Sequence, residues 1–134
     1  MLLTTVTQNR ECIFTNGAYA REVIETLYEV QRHHPFFLYA FVIMPDHGHF
    51  LVRVMPPGTI SKIMNVFKGC ASMRIGIGPI WQRGFHMKIV QDPMPVIRYI
   101  HANPVAAGLV EKPEDYLWSS ASGRWGVSPV EEGW

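Results

Sequence analysis

Acidic side chains are almost absent from the middle of this chain. Between Arg53 and His101 stand seven basic residues (Arg53, Lys62, Lys68, Arg74, Arg83, Lys88, Arg98) and one acid, Asp92, a local net charge of +6. The acids gather elsewhere, at Glu22, Glu25 and Glu29 and at Glu111, Glu114, Asp115, Glu131 and Glu132. The whole chain carries only +1, so bulk charge announces no nucleic-acid partner. The uneven distribution leaves two readings, a phosphate-attracting surface or scattered solvated cations.

Cysteine is scarce as well. Cys12 and Cys70 are the only two and lack CxxC spacing, which removes a CxxC redox or zinc motif. They read as small buried hydrophobes in a reducing, cytoplasmic setting. No apolar run reaches the roughly 18 residues of a membrane span. The N-terminal MLLTTVTQNR has no basic stretch ahead of an apolar one, so it does not read as a secretory signal. Repeats and linkers are also missing. What is left, 134 residues of which 48% are hydrophobic, is the material of one soluble domain over residues 1–134, large enough for a real core.

Periodicity gives the elements. Leu2 to Gln8, rich in Leu, Thr and Val, reads as a strand. After the turn signal Asn16-Gly17, residues 18–33 carry an apolar stripe at Val23, Ile24, Leu27 and Val30 and read as a helix. Phe36 to Met44 is a nearly continuous apolar run, read as a buried strand. Pro45-Asp46 turns the chain, and His47 to Val54 returns as its hairpin partner. A second helix, capped by Thr59 or Ser61, runs to about Ile75 with Ile60, Ile63, Met64 and Phe67 inward. Trp81 to Val90 reads as a fourth strand. Asp92-Pro93 opens a third helix, expected to break or kink at Asn103-Pro104, with one more turn ending at Gly108. From Lys112 the chain is expected to wrap the domain irregularly. The order β-α-β-β-α-β-α predicts an α+β, ferredoxin-like antiparallel sheet covered on one face by helices, with an additional C-terminal helix that bears Tyr99.

Two short segments carry the chemistry. Strand alternation sends His47 and His49 to the same side. Helical spacing puts Tyr99 and Asn103 on one face. Two imidazoles, an amide oxygen and a phenol suit a divalent metal beside a tyrosine nucleophile, because a phenol needs nearby positive charge or a base before it attacks phosphorus. Each has a plainer reading: chance spacing of the histidines, a bulge at Gly48, and core packing for Tyr99.

The segments MPDHGHFLV, SKIMNVFKG, IWQRGF, YIHANPVAAGLV and YLWSS, in this order from about Leu2 to Ser120, resemble the single-tyrosine transposases of small insertion sequences. The branch associated with repetitive extragenic palindromes is the most similar, and the block YI-x-x-NPV-x-x-GLV is the most specific part. Members are HUH endonucleases. The resemblance implies that His47 and His49 bind the metal, that Asn103 is the third ligand and that Tyr99 is the nucleophile. It implies cleavage and rejoining of single-stranded DNA near hairpins through a 5′-phosphotyrosine link. Mg²⁺ or Mn²⁺ assists, and no nucleotide cofactor is needed. Some relatives are obligate homodimers that share active sites between subunits, and others act as monomers.

This chain departs from the pattern at Gly48, where a bulky residue is usual, and at Asp46, where asparagine is common. Asp46 either accepts an imidazole N–H or shapes the turn. His86 lies near the site or is a satisfied strand histidine. His101 is structural or faces DNA. Lys62, Lys68, Arg74, Arg83, Lys88 and Arg98 are the candidate phosphate contacts, while Trp81 and Phe85 stack on bases or pack inward. Two other classes compete: a decayed or domesticated protein that grips hairpin DNA without cutting it, and a small metal-dependent hydrolase.

Overall fold

The computed structural model describes residues 1–134. Its elements are β1 (Leu2–Val6), α1 (Gly17–His33), β2 (Phe36–Met44), β3 (His47–Val54), α2 (Ile60–Ile75), β4 (His86–Lys88) and α3 (Pro93–Ala106). The four strands form one sheet in the order β2-β3-β1-β4, every neighbouring pair antiparallel. This is the ferredoxin-like arrangement expected from the element order. No helix is long and apolar enough to cross a membrane.

The apolar run of β2 is explained by burial on both faces. Phe36, Leu38, Phe41 and Ile43 join the larger core beneath α1 and α2, together with Phe50 and Val52 of β3. Tyr39, Ala40, Val42 and Met44 join a second core with Leu51 and Ile100. An irregularity in the β2–β3 register between Leu38 and Ala40 lets Tyr39 and Ala40 turn to the same side. The second core lies under α3, which crosses the face of the sheet opposite α1 and α2. Val96, Ile97 and Ile100 form its inner stripe, and Ile100 is fully buried, which is worth about 2–3 kcal/mol.

The helices start where the sequence signals put them, with the turn residue Asn16 acting as a cap and Thr59 rather than Ser61 capping α2. Asn16, Thr59 and Asp92 each accept a hydrogen bond from a backbone N–H of the first turn they cap. Three expectations are corrected. β1 ends at Val6 rather than Gln8, because the Thr7 hydroxyl bonds the Glu11 and Asp46 carbonyls and a 3-10 turn follows over Gln8–Arg10. β4 covers only His86–Lys88, not Trp81 to Val90. Trp81 makes one isolated bridge to Thr7, and the Lys68 ammonium draws off the carbonyls of Gln82 and Gly84. α3 is not broken at Asn103-Pro104 but runs through Pro104 to Ala106. Pro104 removes one donor, but Ala107 N bonds Asn103 O and restores the pattern, and Gly108 in the left-handed region (φ 74°) follows as the stop. A fourth correction concerns the cysteines: Cys12 is exposed and Cys70 partly so, both as free thiols.

Residues beyond Lys112 wrap the sheet irregularly, as expected, and close its β2 edge. Ile43 N bonds Trp118 O, Ser128 N bonds Leu38 O and the Tyr39 hydroxyl bonds Glu132 O. His101 is structural here. Its Nε2 lies 2.7 Å from Ser120 Oγ, which in turn bonds the backbone of Phe41 and so ties α3 to the edge of the sheet.

Candidate active site

β3 is the central strand beside β1, and its alternation turns His47, His49 and Leu51 toward α3 while Gly48, Phe50 and Val52 turn to the larger core. The His47 and His49 rings meet edge to face with centroids 4.8 Å apart. Each ring is held at Nδ1. His47 Nδ1 lies 2.6 Å from the Asp46 carboxylate, and His49 Nδ1 lies 2.8 Å from the Thr4 hydroxyl, its register partner on β1. Neither Nε2 makes a hydrogen bond, so both are free.

Tyr99 reaches this pair from α3. Its ring centroid is 5.6 Å from that of His49, within the same chain, and the residue is 53% exposed. Exposure disposes of core packing for Tyr99. The two residues share an open cleft of about 350 Å³ with Leu2, Thr4, Lys88, Pro95 and Val96. Asn103 follows one helical turn beyond Tyr99, partly exposed, its amide free of hydrogen bonds.

A divalent cation fits this donor set. Both imidazoles are engaged at Nδ1, and His47, facing a carboxylate, presents Nε2 in the Nδ1–H tautomer, the usual preparation for metal binding; Asn103 has an uncommitted amide oxygen. No three or more His, Cys, Asp or Glu side chains stand together in a group that could hold a metal. Burial, with a smaller push from the neighbouring His47, lowers the His49 pKa to about 4. The ring is therefore neutral, as a ligand must be, through the physiological range. Burial alone would raise the Asp46 carboxyl, but its hydrogen bond to His47 and the charges of His47 and Arg10 outweigh this and lower it.

A sequence profile described as Transposase IS200 like matches residues 2–103, a span that contains His47, His49, Tyr99 and Asn103. The chain belongs to this family. The fold of this IS200-like transposase also resembles solved structures. One is that of a REP-associated tyrosine transposase bound to a REP hairpin, with a TM-score of 0.79 and 24% identity over 96% of this chain and 81% of that one. Another is a crystal structure of a candidate transposase from Deinococcus radiodurans R1, with a TM-score of 0.59 and 17% identity over 81% of this chain and 88% of that one. At such identities the likeness is one of fold. No curated protein sequence matches.

The transposase distributes its candidate cations unevenly. Lys88 lines the cleft. Arg98 is exposed next to Tyr99 on α3, Arg83 is exposed in the loop before β4, and Lys62 is exposed on α2. Lys68 and Arg74 sit on the α2 side with other duties: Lys68 clamps the Gln82 and Gly84 carbonyls, and Arg74 pairs with Glu29. Trp81 packs against Phe14 and Phe67, with Phe85 on the same core, so both face inward rather than toward a ligand. His86 is exposed and in register with Thr4, across β1 from His49 on the same face. Thr4 and Arg10, which bonds Asp46, are site residues that sequence reasoning missed. Only the β1–β3 register could have exposed the first.

Gly48 has a steric reason. A Cβ there would lie 2.9 Å from Phe50 Cζ and 3.3 Å from Ile43 Cδ1. The Phe50 ring thus covers the place where a side chain at position 48 would sit. It cannot swing away freely, being buried and edge-on to Phe67 at 5.5 Å. Gly48→Val is expected to destabilise the fold by about 1–3 kcal/mol, read as a lowered thermal midpoint. An unchanged midpoint would mean that Phe50 relocates without cost.

Acid should weaken the metal-free chain. Burial lowers the pKa of His101 as well as that of His49. As pH falls below the unfolded value of 6.5, the unfolded chain takes up protons that the folded chain refuses until about pH 4 for His49. Stability is therefore full above that window and declines through it, by on the order of 2 kcal/mol between pH 7.5 and 5. Urea midpoints at the two pH values check this, and equal midpoints would contradict it.

Proposed function

We propose that this chain is a metal-dependent, single-strand DNA transesterase, the catalyst of a transposition reaction, which cuts and rejoins DNA near hairpins. The observation that carries the reading is the meeting, within one chain, of an exposed tyrosine with two histidines anchored at Nδ1. Tyr99 gives up its phenolic proton as its oxygen attacks a backbone phosphorus, a phosphotyrosine bond forms at the 5′ side of the downstream strand, and the bond to the 3′ oxygen breaks. That oxygen leaves as a hydroxyl after taking up a proton, and the reverse attack by a 3′-hydroxyl rejoins DNA and frees Tyr99. His47, His49 and Asn103 would hold Mg²⁺ or Mn²⁺, which supplies Lewis acidity to a phosphate oxygen when bound. The covalent bond conserves the phosphodiester energy, so no nucleotide cofactor enters. The meeting of Tyr99 and His49 in one chain supports a site that works in cis. The free thiols suit a cytoplasmic setting.

The test uses a hairpin oligonucleotide labelled downstream of the cut, incubated with the chain and Mn²⁺. A denaturant-stable labelled protein is the expected product. Labelled fragments with no adduct would favour a hydrolase, and bound but uncut DNA would favour a hairpin-binding protein.

Hairpin affinity should also respond to salt. With Lys62, Arg83, Lys88 and Arg98 exposed and outside any ion pair, four phosphate contacts predict a fall of roughly a hundredfold between about 50 and 200 mM salt. A flat response would remove these cations from the interface.

A further inference from the structure

We infer that Arg10 is a positioning residue that fixes the ring of His47 through Asp46; the inference rests on the proposed role of His47 as a metal ligand. Asp46 divides its two carboxylate oxygens. Oδ1 faces His47 Nδ1 at 2.6 Å, and Oδ2 accepts a hydrogen bond from Arg10 Nε at 3.0 Å. With Oδ2 taken, Oδ1 is left for the imidazole N–H. His47 is then held as the Nδ1–H tautomer with Nε2 free.

The backbone that delivers Arg10 is unusual. Asn9 and Arg10 are consecutive non-glycine residues in the left-handed region, at φ 56° and 52°, a conformation that costs about 1 kcal/mol or more per residue. They are the only such pair in the chain. The segment is also pinned to Asp46 itself. Thr7 N and Thr7 Oγ1 donate to the Asp46 carbonyl at 2.9 and 3.0 Å, and Arg10 N donates to Thr7 O. Strain of this kind persists only where the surroundings over-determine it. Here it turns an otherwise solvated guanidinium back onto the carboxylate beside His47. The contact joins residues 36 apart, so neither segment's local propensity explains it.

The test compares wild type, Arg10→Ala and Arg10→Lys as full-length chains in two measurements. The first is the ¹⁵N shifts of the His47 ring in the metal-free chain. Arg10→Ala is expected to convert a single Nδ1–H tautomer into a mixture, with the His49 ring unchanged and Arg10→Lys close to wild type. The second is Mn²⁺ affinity by electron paramagnetic resonance, expected to fall about tenfold in Arg10→Ala and to recover in Arg10→Lys. A His47 ring that keeps its tautomer in Arg10→Ala would overturn the role of Arg10. If His47→Ala binds Mn²⁺ as wild type does, the metal reading fails, while the tautomer measurement still decides the positioning role.

Discussion

Tyr99→Phe is expected to abolish covalent capture of hairpin DNA and to lower cleavage by at least about three orders of magnitude, with hairpin affinity within about twofold of wild type. The size follows from the chemistry. Removing the nucleophile removes the only bond-forming group, and losing one member of a catalytic unit costs nearly as much as losing the whole unit. The selectivity follows from the structure. Tyr99 is 53% exposed and is not part of the α3 stripe that carries Val96, Ile97 and Ile100, so losing one oxygen leaves the packing intact. Gel capture and a filter-binding titration on the same oligonucleotide measure both quantities. Equal capture by the two proteins would show that Tyr99 is not the nucleophile.

The second large effect is expected at the histidines, and their burial dictates how it should be tested. His47 is partly exposed, whereas His49 is only 7% exposed. His47→Ala should therefore spare the fold, while truncating His49 opens a cavity under α3 and strands the Thr4 hydroxyl. His49→Gln keeps most of the volume and is the fairer variant. A residue behind a ligand typically costs about 10–100-fold in metal affinity, so losing a ligand itself should cost at least about a hundredfold. In both variants cleavage should fail at limiting Mn²⁺ and recover partly at saturating Mn²⁺, a rescue that Tyr99→Phe cannot show. Wild-type metal dependence in either variant would remove that histidine from the site. The pH sign agrees with this assignment. His49 is neutral above about pH 4, so its own protonation leaves metal binding intact at neutral pH.

Much of this could be read from the chain because local patterns carried it. Period-two alternation placed His47 and His49 on one face, the apolar run over Phe36–Met44 announced a buried strand, and the turn signal Asn16-Gly17, a cap at Thr59 or Ser61 and Asp92-Pro93 marked the three helix starts. What escaped depended on partners far away in sequence. The aromatic and β-branched residues of Trp81 to Val90 favour a long strand, but composition says nothing of Lys68, whose ammonium takes the Gln82 and Gly84 carbonyls. Pro104 looked like a break because the rule counts the lost donor and not the bond resumed at Ala107. In the site, Thr4 meets His49 across 45 residues and Arg10 meets Asp46 across 36, contacts set by sheet register and by a strained turn. The plain reading of Gly48 was a bulge, but the register is regular there and the Phe50 side chain takes the space instead.

Tyr99 and the His47–His49 pair are proposed to form one transesterifying site in a single chain. Mapping the adduct tests it most directly. The chain is incubated with a hairpin oligonucleotide and Mn²⁺, digested with nuclease and trypsin, and its peptides are weighed by mass spectrometry. The account predicts a nucleotide phosphate on the peptide that begins at Tyr99, attached at the tyrosine oxygen. An adduct on any other residue, or cut DNA with no adduct, would contradict it.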